Sequence, residues 1–264
     1  MARRVAVVGS NKGIGLATVK NLCKKFVGDV ILTARNPELG QKAVEILEKE
    51  GLHPKCHQLD IDDLTSIQKL RDYLKDNYGG LDVLVNNAGM AYPHKTTASV
   101  AEQAENTVRV NYFGTHMVCQ ELFPLLRPHA RVVNVSSCMG MLSKIPSPQL
   151  REKLSSPDLT QVELSKLMAQ FIEAAKQGVH AEQGWGNSTY VVSKVGVSAL
   201  TFIQQREMDK DSREDIAINA VHPGYVDTDM TSHKGELTVE EGAKAPTYAA
   251  LLPPGMESPR GKFI

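Results

Sequence analysis

The sequence predicts an α/β protein built on one doubly wound parallel sheet, and three observations carry that prediction. Short runs of apolar, β-branched residues alternate with amphipathic stretches of helical period from the start of the chain. Within those runs polar residues rarely alternate with apolar ones, as expected of strands covered on both faces. Successive runs are separated by single helix lengths, which suits right-handed crossovers between parallel strands rather than hairpins.

The first run, residues 4–8 (RVAVV), leads into a glycine-rich turn. Residues 29–34 (DVILTA) form the second, and the helix after it opens at Pro37, a residue suited to a first turn, with Val44, Ile46 and Leu47 as its apolar set. KCHQLDI is a weaker third strand. In SIQKLRDYLKDNYGG, Ile67, Leu70 and Leu74 share one face and Gly79 stops the helix. Residues 81–89 (LDVLVNNAG), 131–137 (RVVNVSS) and 216–224 (IAINAVHPG) give the fourth to sixth strands. VEEGAKAPTYAALL reads as a final helix, and GKFI as the start of a seventh strand.

No repeat and no linker divides the chain, so residues 1–264 are expected to form a single Rossmann-type domain with a helical insertion at about 141–187. The roughly fifty residues between Ser137 and Tyr190 exceed an ordinary connection. They contain an amphipathic helix carrying Leu164, Leu167, Met168, Phe171 and Ile172, with Thr160 and Glu163 placed as a capping box.

Composition narrows the function classes. Hydrophobic residues make up 42% and charged residues 23%, and thirty basic residues balance thirty acidic ones. Nothing in that balance draws the chain to nucleic acid or to an anionic membrane. The opening MARRVAVVGS has too short an apolar run for a signal peptide or a membrane span. Cys23, Cys56, Cys119 and Cys138 occur singly, without metal spacing, so neither a zinc site nor a disulfide framework is expected and a reducing cytoplasm fits.

Chemistry concentrates in two stretches. In VVGSNKGIG the glycines Gly9, Gly13 and Gly15 permit positive φ, close approach of a pyrophosphate and a helix N-terminus aimed at it. Alone, such a turn is also an ordinary tight strand-to-helix connection. NAD-preferring folds place an acid at the tip of the second strand. Here Arg35 stands there, and with Lys12 it can meet the 2′-phosphate of NADPH, although both also read as solvated cations. In GNSTYVVSK, Tyr190 and Lys194 are four apart and so share a helix face, a spacing common on solvated helices as well.

With the glycine turn, NNAG, NVSS and YVVSK in this order, the chain resembles the short-chain dehydrogenase/reductase family over its whole length. The segment before Tyr190, with HPGYVDTDM and EGAKAPTYAALLPP, is similar to the monomeric NADPH-dependent carbonyl reductase branch. The resemblance implies a catalytic tetrad of Asn111, Ser137, Tyr190 and Lys194, Ser137 rather than Ser136 matching the family position. It implies cofactor contacts from Gly9, Asn11, Lys12, Gly13, Ile14, Gly15, Arg35, Asp60, Ile61, Asn87, Tyr190, Lys194, Val226 and Thr228, and substrate contacts from Tyr92, His94, Gln103 and Ser137. Val8 departs from the Thr often found before the first glycine, and the chain stops at Ile264 where related reductases usually continue.

On that reading Tyr190 gives the proton that carbonyl reduction requires, and Lys194 lowers the phenol from its usual value near 10, with part of the lowering supplied by a dry site and the charge of the oxidised nicotinamide. Ser137 orients the carbonyl oxygen, and Asn111 holds a water that leads toward Lys194. The expected activity is reduction of ketones, aldehydes or quinones with NADPH by a monomer whose dimer face the insertion covers. An NAD-dependent alcohol or hydroxysteroid dehydrogenase and a catalytically silent NADP-binding regulator are the alternatives. DMTSHKGEL, polar and containing Gly, is expected to be a mobile lid, and Cys138 a packing residue.

Overall fold

The computed structural model describes residues 5–9, 11–93 and 95–264; His94, one of the expected substrate residues, and Arg4 lie outside them, as does the side chain of Val8. Six strands, β1 (Val5–Gly9), β2 (Asp29–Ala34), β3 (Lys55–Gln58), β4 (Leu81–Asn86), β5 (Leu126–Val135) and β6 (Ala217–Val221), form one sheet in the order β3-β2-β1-β4-β5-β6. Every pair is parallel. The chain winds outward from β1 to β3, returns across β1 to β4, and winds outward again. The reversal opens a crevice at the carboxyl ends of β1 and β4, where open α/β sheets take their ligands.

The connections are α1 (Gly13–Lys25), α2 (Pro37–Glu48), α3 (Leu64–Tyr78), α4 (Val100–Val108), a π-helical stretch (Arg109–Gly114) running into α5 (Thr115–Leu122), α6 (Pro148–Ser155), α7 (Gln161–Lys176), α8 (Thr189–Met208), α9 (Val239–Gly242) and α10 (Lys244–Ala250). Strand alternation distributes the core. Ala6, Leu32, Val83, Val85 and Val133 pack with α1, α2 and α10 on one face. Val5, Val7, Ile31, Leu84 and Val132 pack with α3 and α5 on the other. A third cluster joins α4, α8 and the insertion through Phe171, Met168, Trp185 and Tyr112. Its polar stitch is the Tyr112 hydroxyl, 2.9 Å from Ser165 Oγ.

Local signals explain the boundaries. Asn36 caps α2 by accepting from the Leu39 amide, with Pro37 at the first position. Gly79 ends α3 in the left-handed conformation, φ 67°. Thr160 and Glu163 close the expected capping box on α7. Four expectations shift. The third strand stops at Gln58, where Ser66 Oγ donates to the Gln58 side chain and accepts from the Asp60 amide, turning the backbone away. The last helix breaks into α9 and α10, because Pro246 lacks the N–H that would continue the ladder. The seventh strand is a single bridge, Ala220 to Phe263, with Ile264 N donating to Ala220 O at 2.9 Å. Ile46 is 52% exposed, so α2 buries Val44 and Leu47 without it.

Candidate active site

The site is assembled where β5 ends and α8 begins. Ser188 caps α8 by accepting from the Val191 amide, which starts the helix one turn before Lys194. Tyr190 and Lys194 then share a face, with the Lys194 Nζ 5.8 Å from the centre of the Tyr190 ring. Lys194 is 5% exposed. Its ammonium donates to the carbonyl of Val135 at 2.8 Å, and among the described residues no carboxylate is paired with it.

The two serines after Val135 face opposite ways, as adjacent residues of extended backbone must. The Ser137 hydroxyl stands near enough to the Tyr190 phenol to favour its ionised form, and accepts from the Met139 amide at 3.2 Å. Ser136 is buried on the other side, 2.8 Å from Ser198 Oγ and donating to the Lys194 carbonyl at 3.2 Å. Gly140 closes this brace: a Cβ there would overlap Ser136 Oγ and stand 2.8 Å from the Lys194 carbonyl oxygen. Sequence reasoning did not single out Ser136, Ser198 and Gly140 as a brace; the signal available was the small residue three positions after Ser137.

Burial governs both titrating groups. It pushes the Tyr190 phenol up, the Ser137 hydroxyl pulling back only in part and Cys138 adding a further push upward. It pushes the Lys194 ammonium down to about 8. The expected lowering of the phenol by Lys194 is therefore absent here. The ammonium is spent on a backbone carbonyl, and removal from water governs both groups.

Asn111 sits in the π-helical stretch, 1% exposed. Its side chain accepts from the Met90 amide at 2.7 Å and donates to Met90 O and Ser193 Oγ, each at 2.9 Å. It thus pins the loop after β4 to α8 through Ser193, a residue that sequence reasoning did not single out. Asn111 Oδ1 and Lys194 Nζ both flank Gly89, 3.1 Å and 3.6 Å from where its Cβ would stand. Of the expected substrate residues, Tyr92 accepts at its hydroxyl from Asn106 at 2.7 Å and Gln103 donates to Ala98 O at 2.9 Å. Both therefore shape the loop that borders the site.

The crevice beside this centre is lined by Gly9, Ile61, Asn87, Ala88 and Thr115. Asn87 donates to Gly9 O at 2.7 Å, bracing the turn against β4. Gly13 opens α1 with φ 57°. Among the described residues no side chain caps that helix, and no acid stands in its first turn, which suits its N-terminus to an anion. The residues present thus fit a dinucleotide pyrophosphate. Asn11, Ile14 and Gly15 complete the turn, and Arg35, exposed, follows β2 directly. Because Gly9 pairs with Thr33, Lys12 and Arg35 leave the same edge of neighbouring strands. Asp60 accepts from the Asp62 amide at 3.1 Å, and Ile61 packs on Gly114. Val226 is buried against Gly242, and Thr228 places its methyl 3.4 Å from the Cβ position of Gly13.

Residues 3–148 and 176–237 match the short chain dehydrogenase family model. This chain belongs to the short chain dehydrogenase family. The internal stretch between the two matched segments, 149–175, is nearly all of α6 and α7. Among curated relatives of this short chain dehydrogenase, carbonyl reductase (NADPH) 1 of Rattus norvegicus is 52% identical, covering 99% of this chain and 96% of the relative. The Homo sapiens protein of the same name is 51% identical, covering 98% and 94%. Among solved structures, salutaridine reductase from Papaver somniferum superposes with a TM-score of 0.89 at 30% identity over 99% of both chains, so the insertion has a counterpart there.

Proposed function

We propose that this protein reduces carbonyl compounds, such as ketones, aldehydes and quinones, to alcohols with NADPH. The single observation that carries the reading is that Tyr190 and Lys194 share a face beside Ser137, with Lys194 flanking Gly89, the residue after the crevice-lining Asn87 and Ala88. Support comes from relatives named NADPH carbonyl reductases that match almost the whole chain.

The glycine turn and the first amides of α1 would hold the pyrophosphate of NADPH, and Arg35 and Lys12 would meet its 2′-phosphate. Bound NADPH supplies the hydride that reaches the carbonyl carbon. Ser137 donates to the carbonyl oxygen and fixes its direction. Tyr190, raised by burial, is fully protonated at neutral pH and gives its proton to that oxygen. The oxygen that accepts the proton becomes alkoxide-like as hydride arrives, and the conjugate acid of an alkoxide lies near 16, about that of water, which draws the proton from the phenol. Lys194, still largely an ammonium below about 8, stabilises the phenolate left behind. Asn111 holds the loop and α8 in register; any water leading to Lys194 uses a lone pair its amide bonds leave over.

The test is a panel of carbonyl compounds with NADPH and NADH in parallel, followed by the loss of nicotinamide absorbance. Turnover with NADPH that Tyr190→Phe lowers about a thousandfold, with NADPH binding retained, is the expected result. A wild-type protein that binds NADPH and oxidises it with no carbonyl overturns the reading in favour of a regulator.

The protein is further proposed to be a cytoplasmic monomer. Free cysteines fit a reducing compartment, and no helix among the described residues is long and apolar enough to cross a membrane. The faces of α4 and α8 are covered by α7 of the same chain, through Leu164, Met168 and Phe171. Sedimentation at micromolar concentration is expected to show a single-chain mass, and a stable dimer would refute it.

A further inference from the structure

The glycine turn is tied to the segment after β6 by an ion pair, Lys12 Nζ to Asp229 Oδ2 at 2.5 Å, between residues 217 positions apart. Asp229 is held from behind. His233 Nε2 lies 3.2 Å from its other oxygen, and His233 Nδ1 lies 2.7 Å from Asp227. The turn that carries it is closed by Thr231, whose hydroxyl accepts from the Thr228 amide at 3.1 Å and donates to Val226 O at 2.7 Å. Ser232 and His233 are left-handed, φ 52° and 56°, conformations a side chain resists unless its surroundings impose them. The carboxylate is therefore presented to Lys12 by a built turn.

We propose that Asp229 sets how strongly the enzyme discriminates NADPH from NADH, by competing with the 2′-phosphate for the Lys12 ammonium. The inference rests on the NADPH reading above. Lys12 and Asp229 are 70% and 62% exposed, and a pair so wetted is weak enough for a dianionic phosphate to displace. Asp229 also lowers the affinity of any anion nearby, NADH included, so only the ratio of the two affinities isolates the contest for Lys12. The coupling is reciprocal: a 2′-phosphate on Lys12 loosens the tie to the 228–231 turn, whose Thr228 lies against Gly13.

Dissociation constants for NADPH and for NADH, measured by fluorescence on the wild type, Asp229→Asn, Lys12→Met and the double variant, decide the matter. Asp229→Asn is expected to raise the NADPH-to-NADH preference by about threefold to tenfold, in keeping with an exposed competitor, and to do nothing to that preference in the Lys12→Met background. An ammonium has three donors and can in principle serve both anions. Were Asp229 to orient Lys12 toward the phosphate, the preference would fall in Asp229→Asn, and that overturns the proposal. So does an unchanged preference, or an equal rise without Lys12. A wild type with no preference overturns the NADPH reading and this inference together; a strong preference unmoved by Asp229→Asn overturns the inference alone.

Discussion

Two lysines bracket the crevice, and they are held in opposite ways. Lys194 is buried, bonded to the Val135 carbonyl, and braced from below through its own carbonyl by Ser136 and Ser198. Lys12 stands in solvent on the carboxylate of Asp229. A buried cation bonded to a carbonyl dipole, with no paired carboxylate among the described residues, is costly and titrates near the working pH, so position and charge state are both under the control of the fold. An exposed ion pair contributes little to folding and can be exchanged by a ligand. The chemistry is thereby assigned to the rigid lysine and the recognition of charge to the loose one.

The largest expected effect breaks the rigid side. Lys194→Met keeps the volume, removes the charge, and is expected to lower kcat by about 10²- to 10⁴-fold, measured with saturating NADPH and any carbonyl the wild type accepts. The same variant is expected to be more stable than the wild type at pH 7. The ammonium is held at about 8 when folded against a usual value of 10.5, a penalty on the order of 3 kcal/mol. The sign follows from the proton count. Between those values the unfolded chain binds more protons at Lys194 than the folded one, so this group's contribution to stability rises with pH there. The advantage of Lys194→Met in thermal melts is thus full below about 8 and fades toward 10.5. An advantage that grew with pH would contradict the burial of a charged lysine.

Activity and stability should therefore move oppositely with pH. Wild-type kcat for reduction is expected to fall about tenfold per pH step once pH exceeds about 8, as Lys194 loses the proton that stabilises the phenolate. A flat profile to pH 10 would remove Lys194's charge from the mechanism. Next in size is Gly140→Ala. The added methyl meets Ser136 Oγ and the backbone oxygen of Lys194, which cannot swing aside as a side-chain tip can. A cost of about 1–3 kcal/mol in denaturant unfolding is expected, with kcat lowered about tenfold or more and the KM for NADPH changed less.

Most of this fold could be read from the sequence because strands covered on both faces leave unbroken apolar runs, and because caps such as Asn36, Gly79 and Thr160 act through neighbours in the chain. Helical spacing puts Tyr190 and Lys194 on one face; that Ser137 joins them was implied by the resemblance of NVSS and YVVSK to the family's motifs. What escaped depends on distant partners. That Lys194 bonds Val135 O, that Asn111 spends its amide on Met90 and Ser193, and that Lys12 faces Asp229 are long-range meetings. Local period does not encode them. The Tyr190 phenol is raised by its own burial, whereas the expected lowering also called on the charge of an oxidised nicotinamide; a spacing reports that a cation is near but not what else that cation touches.

The smallest predicted effect tests the loose side. If Lys12 to Asp229 is an exchangeable contact rather than a structural one, Asp229→Ala should leave the melting temperature of the cofactor-free protein within about 2 °C of the wild type, as exposed pairs do in a chain of this size. High salt should reproduce that result without mutation, because screening reaches solvent-facing charges first. The buried bonds around Lys194 should resist the same salt. A melting temperature that dropped by more than about 5 °C on Asp229→Ala would make the pair part of the scaffold. The contrast between a fixed lysine and an exchangeable one would then fail at the site where Asp229 and the 2′-phosphate are proposed to compete.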